Sequence, residues 1–557
     1  MPRFIRLCLT LSFVASTLNG CGSEVGSPAG SEPLGSSISG LTILNDHSLA
    51  VTDKEILVPF TLERVLQQVI NQSGAATTPL KLFRQWWADE TEAGAGRPSP
   101  AHCDDQMLGW QAGFNDYPWD CPRPEGTIES VSNPFVNYPN DDANYIPIGL
   151  FNRFDLAPIN GSHCGEYRIV FARNSGRRTL EIETERGEPA YGEGERNLLI
   201  FEAILPNPRP NRGLDGCRDV VKFWAELSDQ PDVMVRQEML FKFYFYGIDG
   251  FEPVVHKNHY GAALGADGYG CSTGQIRTNQ FMRSRNWDLR EFKLVNDCRC
   301  GERCVLSIMP MTVKGNPYGE LFGTSHPNGP GLQNDFVATA VNSLTNSWNV
   351  NEFSYTVDDR YDSGSSPVDS RNEYVAQSSW NWPFKNDIKG QLYSLGRYDS
   401  VWMNPDHVLA RATALSCAGC HNLSNNADMG NGVIWPESLG FTHVEERIGA
   451  GGKYRISKAL EDYFLPFRAR IMEDFLNNGA GARGSGEKCE FRLPPEISVE
   501  QCWEDERRAE EQAGGQGGDS GGGKDGERTV VRLSKFSVSS IRLLEPYVGP
   551  RFVNHVH

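Results

Sequence analysis

Short apolar runs broken by Gly, Pro, Asn and Asp fill the middle of the chain. The clearest lie at residues 148–154, 166–172 and 196–203, followed by 239–247, 275–281, 289–295 and 304–313. Runs of this length between turn residues predict strands of a mainly antiparallel sheet or sandwich. Helical periodicity appears around them. Residues 61–70 bring Leu62, Val65, Leu66, Val69 and Ile70 to one side. Thr78 and Pro79 supply a cap and a first-turn proline for a second helix that carries Leu82, Phe83, Trp86 and Trp87. A third helix is predicted at 218–227. Residues 41–58 read as extended, and 94–144, crowded with Pro, Asn, Asp and Gly, as irregular.

The last third changes character. Asn404 and Pro405 can start a helix that runs through His407, Val408, Leu409, Ala412 and Leu415. Residues 455–476 place Ile456, Leu460, Phe464, Phe467, Ile471 and Phe475 at helical intervals, with Pro466 expected to kink or split the helix. Residues 21–40 are Gly-, Ser- and Pro-rich and read as a flexible tether, 504–526 as a disordered linker, and 527–557 as a C-terminal strand segment that alternates over 529–541. The expected fold class is α+β: a large β-rich unit over 41–395, of sheet or sandwich form, plus a small α-helical segment over 400–480.

At 557 residues with 12 tryptophans, the chain is long enough for substantial cores. Its formal charge of −18 argues against nucleic acid or an anionic membrane surface as a partner and leaves the steering of a basic partner protein open.

The N-terminus accounts for compartment. Arg3 and Arg6 precede an apolar stretch over 7–18 that is too short to span a bilayer, so residues 1–20 read as a signal peptide. The stretch ends Leu18-Asn19-Gly20-Cys21, which resembles the lipobox of bacterial lipoproteins. That resemblance implies lipidation of Cys21, a lipid anchor, and, with Gly22 following, the outer membrane, facing the periplasm or the cell surface.

Ser416-Cys417-Ala418-Gly419-Cys420-His421 carries the chemistry. Two thiols three residues apart can both join one porphyrin, and the adjacent imidazole is a strong iron ligand. The motif, with a helix feeding it and a later helix able to pack on it, resembles small class I c-type cytochromes over roughly 75 of the residues. The resemblance implies one haem c attached through Cys417 and Cys420, with His421 as proximal iron ligand. For the distal position the residues offer His443 or Met429, with Met472 as a rival. One haem carries one electron at a time, and no second C-x-x-C-H follows. The leading expectation is therefore extracytoplasmic electron transfer with a redox partner protein. Two other readings stand beside it: a haem-free, disulfide-stapled surface-binding lipoprotein, and an exported enzyme with its site in 41–395.

The remaining cysteines suit an oxidising compartment. Cys103–Cys121, Cys489–Cys502 and Cys164–Cys217 are the expected pairs. Cys271, Cys298, Cys300 and Cys304 read as further disulfides, because their spacing matches neither common zinc nor ferredoxin patterns. His256-x-x-His259 reads as a surface or core pair, since helical metal pairs prefer i, i+4 and no third ligand stands out. His102 and Ser520 sit in short stretches similar to those of trypsin-like proteases, but Ser520 lies in the Gly-rich linker with no strand before it.

Overall fold

An antiparallel meander organises the protein. In the computed structural model its strands are β1 (Ala50–Val51), β2 (Tyr145–Arg153), β3 (His163–Arg173), β4 (Arg196–Pro206), β5 (Gln275–Phe281), β6 (Asp288–Asp297) and β7 (Val305–Met311), each paired with the next in chain order. Three short strands follow: β8 (Ser354–Val357), β9 (Ser366–Pro367), which pairs with the start of β6, and β10 (Val444–Ile448), which forms a ribbon with β11 (Tyr454–Ile456). β12 (Arg551–Asn554) pairs with β8. The structure describes residues 42–87, 117, 124–135, 141–177, 180, 195–261, 274–282, 287–297, 304–479 and 551–554. The mixed α+β expectation holds at the level of a large antiparallel sheet with several helices. No helix among the described residues is long and apolar enough to cross a membrane.

The two faces of the sheet differ. One carries Tyr167, Ile169, Phe171, Leu199, Phe201, Phe292 and Leu294, all buried. It is covered by α1 (Leu62–Ser73), α2 (Pro79–Trp87), α3 (Arg218–Asp229) and α4 (Val233–Phe245). Trp86 meets Phe201 and Phe292 edge-on, while Tyr167 stacks on Trp224 and meets Phe243 edge-on. Emptying one such position, as in Trp86→Ala, costs about 3–5 kcal/mol. The Thr61 hydroxyl caps α1 by accepting from Arg64 N, and Gly74 closes it at φ 72°, a left-handed conformation that glycine adopts without strain.

The opposite face is charged and equally buried. Strand register puts Arg153, Glu166, Arg168, Glu202, Gln275, Arg277, Glu291 and Lys293 side by side on it. Arg168 bridges Glu166 (2.7 Å) and Glu202 (3.3 Å), and Arg277 bridges Glu202 (3.5 Å) and Glu291 (3.1 Å). A polar sheet face ordinarily looks into water. Here residues C-terminal to the sheet cover it.

Three expected elements differ. Of residues 239–247, 239–245 belong to helix α4, not a strand, and Tyr246 caps it. Phe241, Phe243 and Phe245 alternate with Lys242, Tyr244 and Tyr246, which imitates a period of two, whereas the buried set Arg236, Leu240, Phe243 and Tyr244 follows helical spacing. Asp232 starts this helix by accepting from Met234 N and Val235 N. Within 41–58, two helical turns, Asn45–Ser48 and Lys54–Leu57, flank β1, because Asn45 and Asp46 favour local turns over extension. The long helix over 455–476 divides into β11, a π-helical turn (Ala459–Phe464) and a true α-helix (Leu465–Asn478). Pro466 stands in the first turn of the latter, where its missing N–H has no bond to lose.

Candidate functional site

The helix leading to the C-x-x-C-H motif is α5 (Pro405–Ala414). Asn404 caps it, its side chain accepting from Asp406 N and His407 N, while the His407 ring accepts from Asn404 N in return. The chain then turns sharply. The Ser416 hydroxyl donates to Thr413 O (2.8 Å) and accepts from Gly419 N (3.0 Å), which folds the first cysteine back beneath the helix end. Gly419 is needed here, because a Cβ would stand 1.7 Å from Thr413 O. Asn316 Oδ1 accepts from Cys417 N and from the Ser366 hydroxyl, whose oxygen accepts in turn from Ala418 N.

The second half of the motif opens a π-helical turn, Gly419–Leu423, in which Gly419, Cys420 and His421 are buried. Cys417 and Cys420 are each 1% exposed, and both are thiols not joined in a disulfide. Cys417 and Ala418 pack with Phe281, Trp287, Leu289 and Val313. Burial pushes the Cys417 thiol up to about 12, against the opposing pull of Arg277.

His421 stacks on Trp287 with centroids 4.8 Å apart. Its Nδ1 lies 3.0 Å from Phe441 O. A carbonyl can only accept, so Nδ1 carries the hydrogen and Nε2 the lone pair, the tautomer used by a metal-binding imidazole. Burial lowers its pKa to about 4, so the ring is neutral at pH 7. His443 is neutral for the same reason, with His421 as a further cause. Its Nε2 meets Cys420 Sγ at 3.3 Å and its Nδ1 meets Ser457 Oγ at 2.8 Å.

Of the residues singled out from sequence, Cys417, Cys420, His421 and His443 therefore come together. The rings of His421 and His443 have centroids 4.9 Å apart. Two imidazoles on opposite sides of one metal hold centroids roughly 6 Å apart, given about 2 Å to each nitrogen, whereas neighbouring ligands of a tetrahedral ion stand roughly 5 Å apart. In this arrangement His443 is a hydrogen-bond partner of Cys420, and it would have to draw back to share an iron with His421. Met429 is buried in a tight turn whose carbonyl accepts from Arg411 Nε (2.7 Å), and Met472 Sδ accepts from Asn152 (3.4 Å).

The donor set suits covalent haem: two thiols at i and i+3 and a neutral imidazole presenting Nε2. The charged sheet face beneath adds to this. Arg277 and Arg168 act electrostatically on His421, and Arg153 and Arg468 on His443. Among the described residues, Arg168 Nε and Asn279 Oδ1 on that face are buried without a hydrogen-bond partner. The Arg168 N–H is a donor that an anionic group could use, whereas the Asn279 oxygen is an acceptor that a hydroxyl or a protonated carboxyl could use.

Elsewhere, Cys164 and Cys217 form a disulfide across 53 residues, tying β3 to the start of α3. Cys304 is disulfide-bonded, in keeping with the disulfide reading of its cluster. Cys21, Cys103, Cys121, Cys271, Cys298, Cys300, Cys489, Cys502, His102, Ser520 and residues 504–541 lie outside the described residues. Sequence reasoning missed the charged sheet face altogether. It also missed Glu252, which stands four residues before His256 in an E-x3-H-x2-H arrangement.

No protein-family model, curated protein or solved structure matches this chain.

Proposed function

We propose that the protein is an outer-membrane lipoprotein, anchored through Cys21, that carries one haem c and serves extracytoplasmic electron transfer. The observation that supports this most is the placing of two thiols and a neutral, Nδ1-anchored imidazole in one buried turn above a polar sheet face. Residues 400–480 form the cytochrome-like part in this reading, with α5 feeding the motif and the helix at Leu465–Asn478 as the later packing helix. Cys417 and Cys420 would hold the group by thioether bonds and His421 Nε2 would ligate iron, with His443 or Met429 offered for the sixth position.

When bound, haem supplies a one-electron carrier whose potential the axial ligands and burial tune. The chain does the rest. Phe441 O fixes the His421 tautomer, Trp287 fixes the ring plane, and the surrounding core excludes water. Arg168 Nε offers a donor to an anionic substituent. The −18 formal charge favours a basic redox partner by steering.

The test is an absorption spectrum and pyridine haemochrome assay on protein co-expressed with a c-type maturation system, beside Cys417→Ala/Cys420→Ala. A covalent c-type signal that the double variant loses supports the reading. Absence of haem despite competent maturation refutes it.

A further inference from the structure

A second cluster stands apart from the C-x-x-C-H motif, on the segment that leaves α4. Phe251 N bonds Ile248 O to close a turn, and Glu252 follows it. Val254 N and Val255 N then bond Phe243 O and Tyr244 O, which fixes the segment against the end of the helix. Gln68 and Gln72 from α1 donate to Val255 O, and Gln72 accepts from Lys257 N. Residues Lys257–His259 form one 3-10 turn with His256 as its cap. In a 3-10 turn, side chains at i and i+3 eclipse. His256 precedes the turn in an extended conformation, yet the bond from His259 N to His256 O brings the two rings together, with centroids 4.9 Å apart, which answers the objection that a metal pair needs i, i+4 spacing.

The third group is the carboxylate of Glu252. Its Oε2 lies 3.3 Å from His259 Nε2 and 3.8 Å from His256 Nδ1. Two ligands on a tetrahedral ion, each about 2.0–2.1 Å from it, stand roughly 3.3 Å apart. Among the described residues this is the sole group of three or more His, Cys, Asp or Glu whose ligand atoms converge within 4.8 Å.

The tautomer of His259 sharpens the case. Its Nδ1 lies 3.2 Å from Val254 O, and a carbonyl accepts, so Nδ1 carries the hydrogen and Nε2 the lone pair. That side chain is 0% exposed, and its Nε2 makes no well-aligned hydrogen bond among the described residues. A lone pair facing a carboxylate oxygen at 3.3 Å is repulsive unless a cation stands between them, either a proton or a metal ion. His256 Nδ1 accepts from Asn258 N at 3.3 Å, a long bond that a metal would replace.

We infer that Glu252, His256 and His259 bind a divalent first-row transition metal, zinc being the best match to two imidazoles and one carboxylate. Glu252 is 58% exposed on its side chain, so the fourth position opens to water. A site of this kind polarises a bound water or carbonyl.

Isothermal titration of the chelator-stripped full chain with Zn2+ tests the assignment, together with thermal unfolding with and without the ion. One equivalent should bind, and Zn2+ should raise the midpoint. Glu252→Ala and His256→Ala alter exposed or half-buried positions, so the fold should survive; each should weaken binding by at least about tenfold and abolish the thermal shift. Cys417→Ala/Cys420→Ala should bind Zn2+ like the parent. Absence of binding, binding indifferent to Glu252 and His256, or binding that disappears with the cysteines overturns the assignment.

Discussion

The Cys420 thiol meets Nε2 of His443 at 3.3 Å, and Ser457 Oγ holds the other ring nitrogen at 2.8 Å. The same hydroxyl accepts from Leu460 N (3.1 Å) at the start of the following turn. Ser457→Ala leaves a buried ring nitrogen and a buried backbone N–H without their partner, so stability should fall by about 1–3 kcal/mol. Urea unfolding of the two proteins measures it. An unchanged midpoint would mean that the serine does not fix the ring.

Gly419 should tolerate no side chain. A methyl there would stand 1.7 Å from Thr413 O, which is backbone and cannot swing aside. Gly419→Ala should lower stability by roughly 1–3 kcal/mol, and in the proposed haem protein it should also lower the haem-to-protein ratio. Both quantities come from one preparation, by thermal melt and haemochrome assay. Retention of both would show that the turn is softer than its geometry.

Arg196 and Glu446 form a fork-to-fork pair 250 residues apart, with nitrogen–oxygen distances of 3.1 and 2.7 Å and almost no exposure. Removing the arginine strands a buried carboxylate. Arg196→Ala should cost about 3–5 kcal/mol, whereas the apolar replacement Arg196→Met with Glu446→Leu should recover most of it. Chemical denaturation of Arg196→Met, Glu446→Leu and the double variant closes the cycle.

Glu166 sets a pH dependence. Burial alone would raise its pKa, but Arg168, Lys314 and Arg153 outweigh it and hold the group down to about 2, against 4.5 for an unperturbed glutamate. Above pH 4.5 the stabilisation is present in full. As pH falls from 4.5 towards 2, the unfolded chain takes up a proton that the folded chain refuses, so stability drops by something on the order of 1–3 kcal/mol. Glu166→Gln should flatten that part of the acid limb in denaturation curves recorded between pH 2 and 6.

Local signals were legible where one interaction decides. Asn404-Pro405 starts α5, Thr61 caps α1, and the strands at 148–154, 166–172 and 196–203 are bounded by their own turn residues. The spacing of Cys417, Cys420 and His421 was equally plain. The Cys164–Cys217 pairing also appears in the structure.

What escaped depends on distant parts of the chain. Arg168, Glu202, Arg277 and Glu291 alternate with apolar residues as a solvated face does, and only the covering layer shows them to be buried. The aromatic run at 239–247 carries two periodicities at once, and tertiary packing selects the helical one. Glu252 carries no signal under α-helical spacing, because the chain there makes a 3-10 turn.

The near-complete enclosure of Cys417 and Cys420 fixes an order of events in biogenesis. Their walls come from β5, from the start of β6, from Val313 and from residues around Phe441, so the chamber closes only when segments more than a hundred residues apart have met. A porphyrin is far too large to enter a finished shell of this kind. In the proposed haem lipoprotein any thioether would therefore be made on an open chain after export, and the finished protein would be refractory to late loading. The attached group would then act as a folding template, making the yield of mature protein a function of haem supply during secretion.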